Sequence, residues 1–238
     1  MRKYELTGET VKNVYGVPLY RIRALMSFGD VSAGTLGGYL EREENLSHAG
    51  LSWVAENAQV YGNARVMGDA QVSGNAVVFG DAGIMGKAQV MENTTVCQNA
   101  QVCGRARIYG KARLYGSAKA RDKVQVYDCA EAGGNALLSG KAQLFGCARV
   151  CGNALIRSSL DCTTVGGFGH IQRVTTFFRC RDGVVRVACG CFLGTLPEFR
   201  QRVIQKYGDG IMGREYLAAA DLMEMHFVAY TGNENHAK

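Results

Sequence analysis

The sequence has little proline, histidine or tryptophan, and it lacks any apolar run of the roughly 18 residues that a membrane-spanning helix needs. Its 238 residues include only two prolines, which excludes a collagen-like chain because collagen needs frequent proline and a glycine at every third position. The first residues contain no apolar stretch, so we expect no signal peptide and no membrane partner. Nine cysteines without an export signal then predict reduced thiols and a cytoplasmic location.

Glycine is abundant instead, with 31 residues, and 47% of the chain is apolar. That apolar fraction is enough for a buried core, so a disordered chain is excluded. Glycine is costly inside helices, which argues against a helical bundle. The composition therefore indicates a fold with many regularly spaced turns.

An internal repeat of six residues explains the glycines. From Ala58 to Ala154, 15 of the 17 residues at this spacing are alanine. Two residues after each, 15 of 17 are valine, isoleucine or leucine, and two residues later again 12 of 17 are glycine. An Ala-x-Val unit places both apolar side chains on one side of a short strand, and glycine supplies the positive φ of a sharp corner.

Three such repeats form an 18-residue triangular coil, so the pattern predicts a mainly β protein built around a parallel β-solenoid of about six coils. We expect an N-terminal β cap at residues 1–52, the solenoid at residues 53–165 and a small C-terminal module at residues 166–238. The module is predicted as a β-hairpin, with strands from Ile171 to Cys180 and from Val184 to Leu193 around Asp182-Gly183, followed by two helices, the first starting at Thr195 and Pro197. This gives a ββαα order.

The repeats resemble the hexapeptide-repeat family, most clearly in the run AQVYGNARVMGDAQVSGNAVVFG. That resemblance implies a left-handed triangular β-helix and often a trimer, and many members are acyl- or acetyltransferases. In the family pattern glycine or alanine directly follows the large aliphatic residue, whereas here glycine comes one place later. The handedness therefore rests on the resemblance alone.

The flanking segments resemble a narrower group, the β-helix proteins of phages and prophages. The N-terminal likeness lies in GDVSAGTLGGYLEREENLSHAGLSWV, and the C-terminal one in RDGVVRVACGCFLGTLPEFRQRVIQKYGD. This resemblance implies a phage-encoded product that works in the host cytoplasm. It implies no particular reaction.

Residues 18 apart should stack in the solenoid, and one corner then carries Asp69 followed by four consecutive basic residues, Lys87, Arg105, Lys123 and Lys141. Like charges about 4.8 Å apart repel by roughly 1 kcal/mol per pair even in water. We interpret this edge as a site for an anionic ligand or partner, and a merely solvated edge is the alternative. The predicted binding residues are Lys87, Arg105, Lys123, Lys141, Arg107, Arg113 and Arg121.

Aromatic side chains should stack on two outer faces of the solenoid. Exposed apolar strips of this kind are rare in soluble monomers, so we expect a second subunit, a terminal module or a target to cover them. The chain is accordingly predicted to form a homotrimer or a dimer. The predicted interface residues are Tyr61, Phe79, Tyr115, Tyr109, Tyr127 and Phe145.

The repeats contain no histidine, although the acyltransferases of the resembling family use a histidine base and proton transfer near neutral pH favours that side chain. We therefore predict no catalytic residue, no metal site and no cofactor. His48 and His170 stay as alternatives for a displaced base. The favoured function is a non-catalytic phage-type binding protein that presents a rigid surface to a host macromolecule or an anionic ligand, as an inhibitor directed at the host or its defence.

Two other functions remain open from the sequence. One is a CoA-dependent acyl- or acetyltransferase of the hexapeptide-repeat type, and the other is a structural virion or assembly component. Among partners, a host protein is favoured and nucleic acid is a weaker candidate, since the net charge of +6 permits an acidic partner without requiring one.

Overall fold

A computed structural model describes residues 2–168 and 172–229 and confirms the mainly β solenoid. A two-residue strand recurs every six residues through its centre, as the repeat predicts. These strands, β4 to β21, are Trp53–Val54, Gln59–Val60, Arg65–Val66, Gln71–Val72, Val77–Val78, Gly83–Ile84, Gln89–Val90, Thr95–Val96, Gln101–Val102, Arg107–Ile108, Arg113–Leu114, Lys119–Ala120, Gln125–Val126, Glu131–Ala132, Leu137–Leu138, Gln143–Leu144, Arg149–Val150 and Leu155–Ile156.

The strands stack in parallel with a register of 18 residues, so that Gln89 pairs with Gln71 on one side and with Arg107 on the other. They form three sheets, one on each side of the triangle. Sheet 1 contains β5, β8, β11, β14, β17 and β20; sheet 2 contains β6, β9, β12, β15, β18 and β21; sheet 3 contains β4, β7, β10, β13, β16 and β19.

The solenoid makes about seven turns, one more than the sequence predicts. The additional turn starts with β3 (Leu36–Leu40), which pairs in parallel with β5 at the top of sheet 1. Before it, β1 (Tyr4–Lys12) and β2 (Pro18–Ala24) form an antiparallel hairpin that extends the same sheet. The N-terminal cap is therefore continuous with the solenoid, and it covers the upper edge of sheet 1.

The interior consists of the repeated small and aliphatic residues. Ala88, Val90 and Leu114 are fully buried, as are nearly all their equivalents along the three sheets. Backbone groups are satisfied between coils; for example, the Gln89 N–H donates to the Ala106 carbonyl at 2.9 Å. The core contains few polar side chains, so the solenoid acts as a rigid scaffold for what lies on its outside.

The corners use a second device that the glycine pattern does not reveal. Where glycine is missing from the corner, the residue still adopts positive φ, as Glu92 does at +62°. Its carboxylate accepts a hydrogen bond from the Gly110 N–H of the next coil at 2.9 Å. Asp128 does the same for Gly146, also at 2.9 Å. Each bond offsets part of the strain of a left-handed conformation in a residue with a side chain.

The C-terminal module has four strands rather than the predicted two. The hairpin around Asp182-Gly183 is present, but it lies inside a four-stranded antiparallel sheet followed by two helices. Ile171, the predicted first residue of that hairpin, falls outside the described residues. The elements are β22 (Cys162–Phe168), β23 (Arg173–Arg179), β24 (Val185–Cys189), β25 (Phe192–Thr195), α1 (Leu196–Tyr207) and α2 (Ile211–Ala229).

The module covers the last coil of the solenoid. Phe178 and Cys180 are buried against the solenoid core, and Ala154 forms an antiparallel bridge with Cys180. The helix start predicted at Thr195 is confirmed, because its hydroxyl accepts from the Glu198 N–H and the Glu198 carboxylate accepts from the Thr195 N–H. No helix in the described ranges is both long and apolar enough to span a membrane.

Candidate binding face

The first predicted aromatic strip lies on sheet 1, and the chain itself covers its upper part. Tyr61 and Phe79 stack with ring centroids 5.1 Å apart and planes 11° from parallel. Leu19 of β2 and Tyr39 of β3 pack on Tyr61, which leaves it only 6% exposed. Burial raises the pKa of Tyr61 to about 12. Tyr61 is therefore not available as a surface for a second subunit.

Lower on sheet 1, Tyr115 lies flat against the next coil. This is possible because residue 133 is glycine, at which a Cβ atom would lie 2.3 Å from the Tyr115 ring. Cys97, between Phe79 and Tyr115 in the same row, is 8% exposed. Most of the sheet 1 strip is therefore buried or half-buried by contacts within the chain.

The second strip, on sheet 3, stays open. Tyr109 and Tyr127 stack with centroids 5.0 Å apart and planes within 3° of parallel, and Tyr127 stacks on Phe145 at 5.5 Å. Phe145, at the lower end, is 50% exposed. We call these three residues the open stack. Because each ring covers the face of its neighbour, the stack offers mainly ring edges and hydroxyls to a partner.

A row of glutamines beside the open stack holds the tyrosines in place. The Tyr109 hydroxyl donates to Gln125 Oε1 at 3.2 Å, and the Tyr127 hydroxyl donates to Gln143 Oε1 at 3.4 Å. The Arg107 guanidinium lies 5.7 Å from the centre of the Tyr109 ring, within the range of a cation–π interaction. The face therefore combines ordered ring edges with glutamine amides whose oxygens accept from the tyrosine hydroxyls.

The predicted basic corner borders this face on the side of the glutamines. We call Lys87, Arg105, Lys123 and Lys141 the basic edge; all four are exposed and lie in successive coils. None of them forms an ion pair with any residue in the described ranges. Their charges therefore remain available to an acidic partner.

The structure separates the other predicted basic residues. Arg107 lies on sheet 3 next to the basic edge, and Arg121 lies on sheet 2, where it pairs with Asp122 at 3.7 Å. Arg113 belongs to sheet 1, beyond the opposite corner, and pairs with Glu131 at 3.5 Å. The seven residues consequently do not form one patch, since a triangular solenoid sends successive repeats to different sides.

The histidine proposed as a displaced base has a packed environment. His48 stacks on Tyr4 with ring centroids 4.5 Å apart, and its Nδ1 accepts from the Lys3 N–H at 3.2 Å. Burial lowers the pKa of His48. His170 lies outside the described residues. Within residues 2–168 and 172–229, no three side chains of the His, Cys, Asp or Glu types are grouped to hold a metal ion.

Comparison with known families identifies the repeats. A family described as the YdcK beta-solenoid repeat matches residues 58–72, 70–86 and 100–116, all within the solenoid. A search of the curated proteins finds no match. The likeness to hexapeptide-repeat transferases and to phage proteins stays a prediction. The chain is a β-solenoid repeat protein whose repeats are similar to the YdcK beta-solenoid repeat.

Proposed function

We propose that this protein is a phage-type β-solenoid that acts without catalysis, by binding an acidic surface of a host macromolecule through sheet 3 and the basic edge. The observation that supports this most is the open stack beside four unpaired cations. The chain covers the upper part of its other aromatic strip with its own N-terminal elements, whereas here Tyr109 and Tyr127 are partly exposed and Phe145 is 50% exposed. Tyrosine is enriched at the centres of protein interfaces, and charges around that centre steer a partner of opposite charge.

The geometry favours a protein partner over nucleic acid. Proteins that hold single strands offer ring faces on which bases stack. In the open stack, those faces are covered by neighbouring rings 5.0 and 5.5 Å away. A flat, rigid face with ordered edges and amides suits a folded partner, because the solenoid loses little conformational freedom when it binds. Such a protein would inhibit its target by covering a functional surface.

The proposal is tested by capture from a bacterial host lysate with the purified chain as bait. We compare the wild-type protein with the variant Lys87→Glu/Lys123→Glu/Lys141→Glu and with Tyr127→Ala. A partner that binds this face should be retained by the wild type and reduced at least about tenfold by either variant, which corresponds to roughly 1.4 kcal/mol.

A matched control carries the same change in charge elsewhere. Lys12→Glu/Arg65→Glu/Arg214→Glu alters three exposed cations on the cap, on sheet 2 and on α2. It should capture the partner like the wild type. If the control and the triple variant of the basic edge lose the partner equally, binding depends only on net charge. If neither that triple variant nor Tyr127→Ala reduces capture of the partner, the proposed face is refuted.

Self-association is the competing use of the open stack. If a second copy covers it, light scattering should show an oligomer for the wild type and a monomer for Tyr127→Ala. That result would assign sheet 3 to the homo-oligomer predicted from the sequence and would remove it as a host-binding surface. A wild-type monomer leaves the face free for another protein.

A further inference from the structure

A separate cleft lies in the C-terminal module, between the turn joining β24 to β25 and the two helices. It shares no residue with the basic edge or the open stack and plays no part in the function proposed above. Its lining includes the aromatic residues Phe192, Phe199, Tyr207 and Tyr216 and the cations Arg173, Arg202 and Lys206.

The inner wall of the cleft is apolar and well fixed. Phe199 and Tyr216 are 3% and 5% exposed and meet edge to face with centroids 6.0 Å apart. Phe192 packs on Phe199 at 5.6 Å, and Tyr207 stacks on Tyr216 at 5.7 Å. Since these rings belong to the core of the module, the wall exists before any ligand arrives.

The rim is positively charged and has no acidic member. Arg173, Arg202 and Lys206 form no ion pair with any residue in the described ranges, whereas Arg200 on the same helix holds two carboxylates, Asp221 at 2.7 Å and Glu224 at 2.6 Å. Three unpaired cations beside one cavity repel each other. An anionic ligand would relieve that repulsion.

Two local features keep the cations at the rim. A Cβ atom at residue 190 would lie 2.3 Å from Arg173 Nη1, so glycine there makes room for the guanidinium. The Lys206 ammonium lies 5.1 Å from the centre of the Tyr207 ring, which places the charge directly over the aromatic wall.

We propose that this cleft binds a small aromatic carboxylate, with the edge of its ring against the half-buried Phe192 and Tyr207 and its carboxylate between the rim cations. The cleft offers about 80 Å³ and is open to solvent on one side, far below the volume of sites that hold nucleotides or drug-sized molecules. Part of one ring can enter it, whereas a nucleotide cannot. Guanidinium groups favour a carboxylate because two parallel hydrogen bonds match its geometry.

The test uses fluorine NMR on the full-length protein with two probes of the same shape, 4-fluorobenzoate and its uncharged analogue 4-fluorobenzamide. The wild type should broaden and shift the benzoate signal, with at least about fivefold weaker binding of the benzamide. The variant Arg202→Gln/Lys206→Gln should reduce benzoate binding at least tenfold. Both side chains are exposed, so the fold should be retained, and circular dichroism checks this.

A control variant, Lys123→Gln/Lys141→Gln, removes the same charge from the basic edge and should bind benzoate like the wild type. Equal binding of the two probes, equal loss in both variants, or no broadening at about 10 mM benzoate would each overturn the proposal. None of these outcomes bears on the host-binding face, whose test uses different variants and a different partner.

Discussion

Two stacks of aromatic rings occupy equivalent positions of the repeat on different sides of the solenoid, yet the N-terminal elements cover only one of them. Tyr61 and Phe79 on sheet 1 lie beneath Leu19 and Tyr39 of the N-terminal elements. The open stack on sheet 3 ends in a half-exposed Phe145. The repeat alone is therefore enough to stack the rings, and contact with the N-terminal cap determines whether the stack is buried or exposed.

The comparison also separates stability from binding. On sheet 1 the rings contribute to the attachment of the hairpin, and a substitution there should act on folding. On sheet 3 the rings contact mainly each other and the glutamine row, and a substitution there should act on what binds. The predictions below test this division, beginning with the largest effect.

Tyr61→Ala should destabilise the protein by about 3 kcal/mol, because it removes a nearly buried ring and leaves a cavity beneath the hairpin. Tyr127→Ala should cost only about 1 kcal/mol, mainly from lost stacking on its two neighbours. Urea unfolding followed by circular dichroism measures both. Equal losses would show that the two stacks are equally buried in solution and would remove the basis of the comparison.

Much of this fold was predictable because it depends on local periodicity. The six-residue spacing predicts the strands, their inward alanine and aliphatic rows and the stacking of residues 18 apart, all of which the structure shows. Each of these follows from the alternation of a strand and the turn chemistry of glycine. The solenoid could therefore be predicted from each six-residue repeat separately.

The rest depends on contacts between distant segments. Nothing periodic relates Leu19 to Tyr61, so the covered stack was predicted only as a candidate interface. The cleft unites Arg173 of β23 with Lys206 of α1, and neither position stands out in the sequence. The sequence indicates the acidic corners only weakly. A residue such as Glu92 appears in it simply as an interruption in the row of glycines.

The attachment of the N-terminal hairpin to the segment before β4 should respond to pH through Lys3. Its ammonium is buried and donates to the Ser52 carbonyl at 2.7 Å, and burial lowers its pKa to about 8. An unfolded lysine has a pKa near 10.4, so between about pH 8 and 10 Lys3 binds more protons in the unfolded chain and its own contribution to stability rises with pH. We expect this contribution to grow by about 1 to 2 kcal/mol from pH 7.5 to 9.5.

The variant Lys3→Met isolates this contribution, since every other titrating group is shared with the wild type. Relative to the wild type, its free energy of unfolding should fall by that amount over the same range in urea unfolding. Parallel curves for the two proteins would mean that Lys3 titrates normally and does not anchor the hairpin while buried. The thiols of Cys151 and Cys162 act in the opposite direction in both proteins, because burial raises their pKa and they ionise first in the unfolded chain. Tyr4, whose pKa is also raised by burial, adds to this loss at higher pH, where the unfolded tyrosine ionises.

The corner beside the open stack offers a finer test. Glu92→Ala should cost about 1 kcal/mol, because it removes the acceptor for the Gly110 N–H and leaves alanine at a φ of +62°. Glu92→Gly loses the same bond but takes the left-handed conformation freely, so it should cost only about 0.5 kcal/mol. The reverse order would show that the strain at this corner is negligible.

The smallest effect is expected at the end of the open stack. Phe145 has one ring neighbour where Tyr127 has two, and half of it is already exposed, so Phe145→Ser should cost about 0.5 kcal/mol. Unfolding should be measured at several protein concentrations, because the concentration dependence of this small cost shows whether the stack is exposed in a monomer. A cost that is independent of concentration places the stack on the surface of a monomer, whereas a cost that grows with concentration means that a second copy covers it and that sheet 3, like sheet 1, is an internal surface of the assembly.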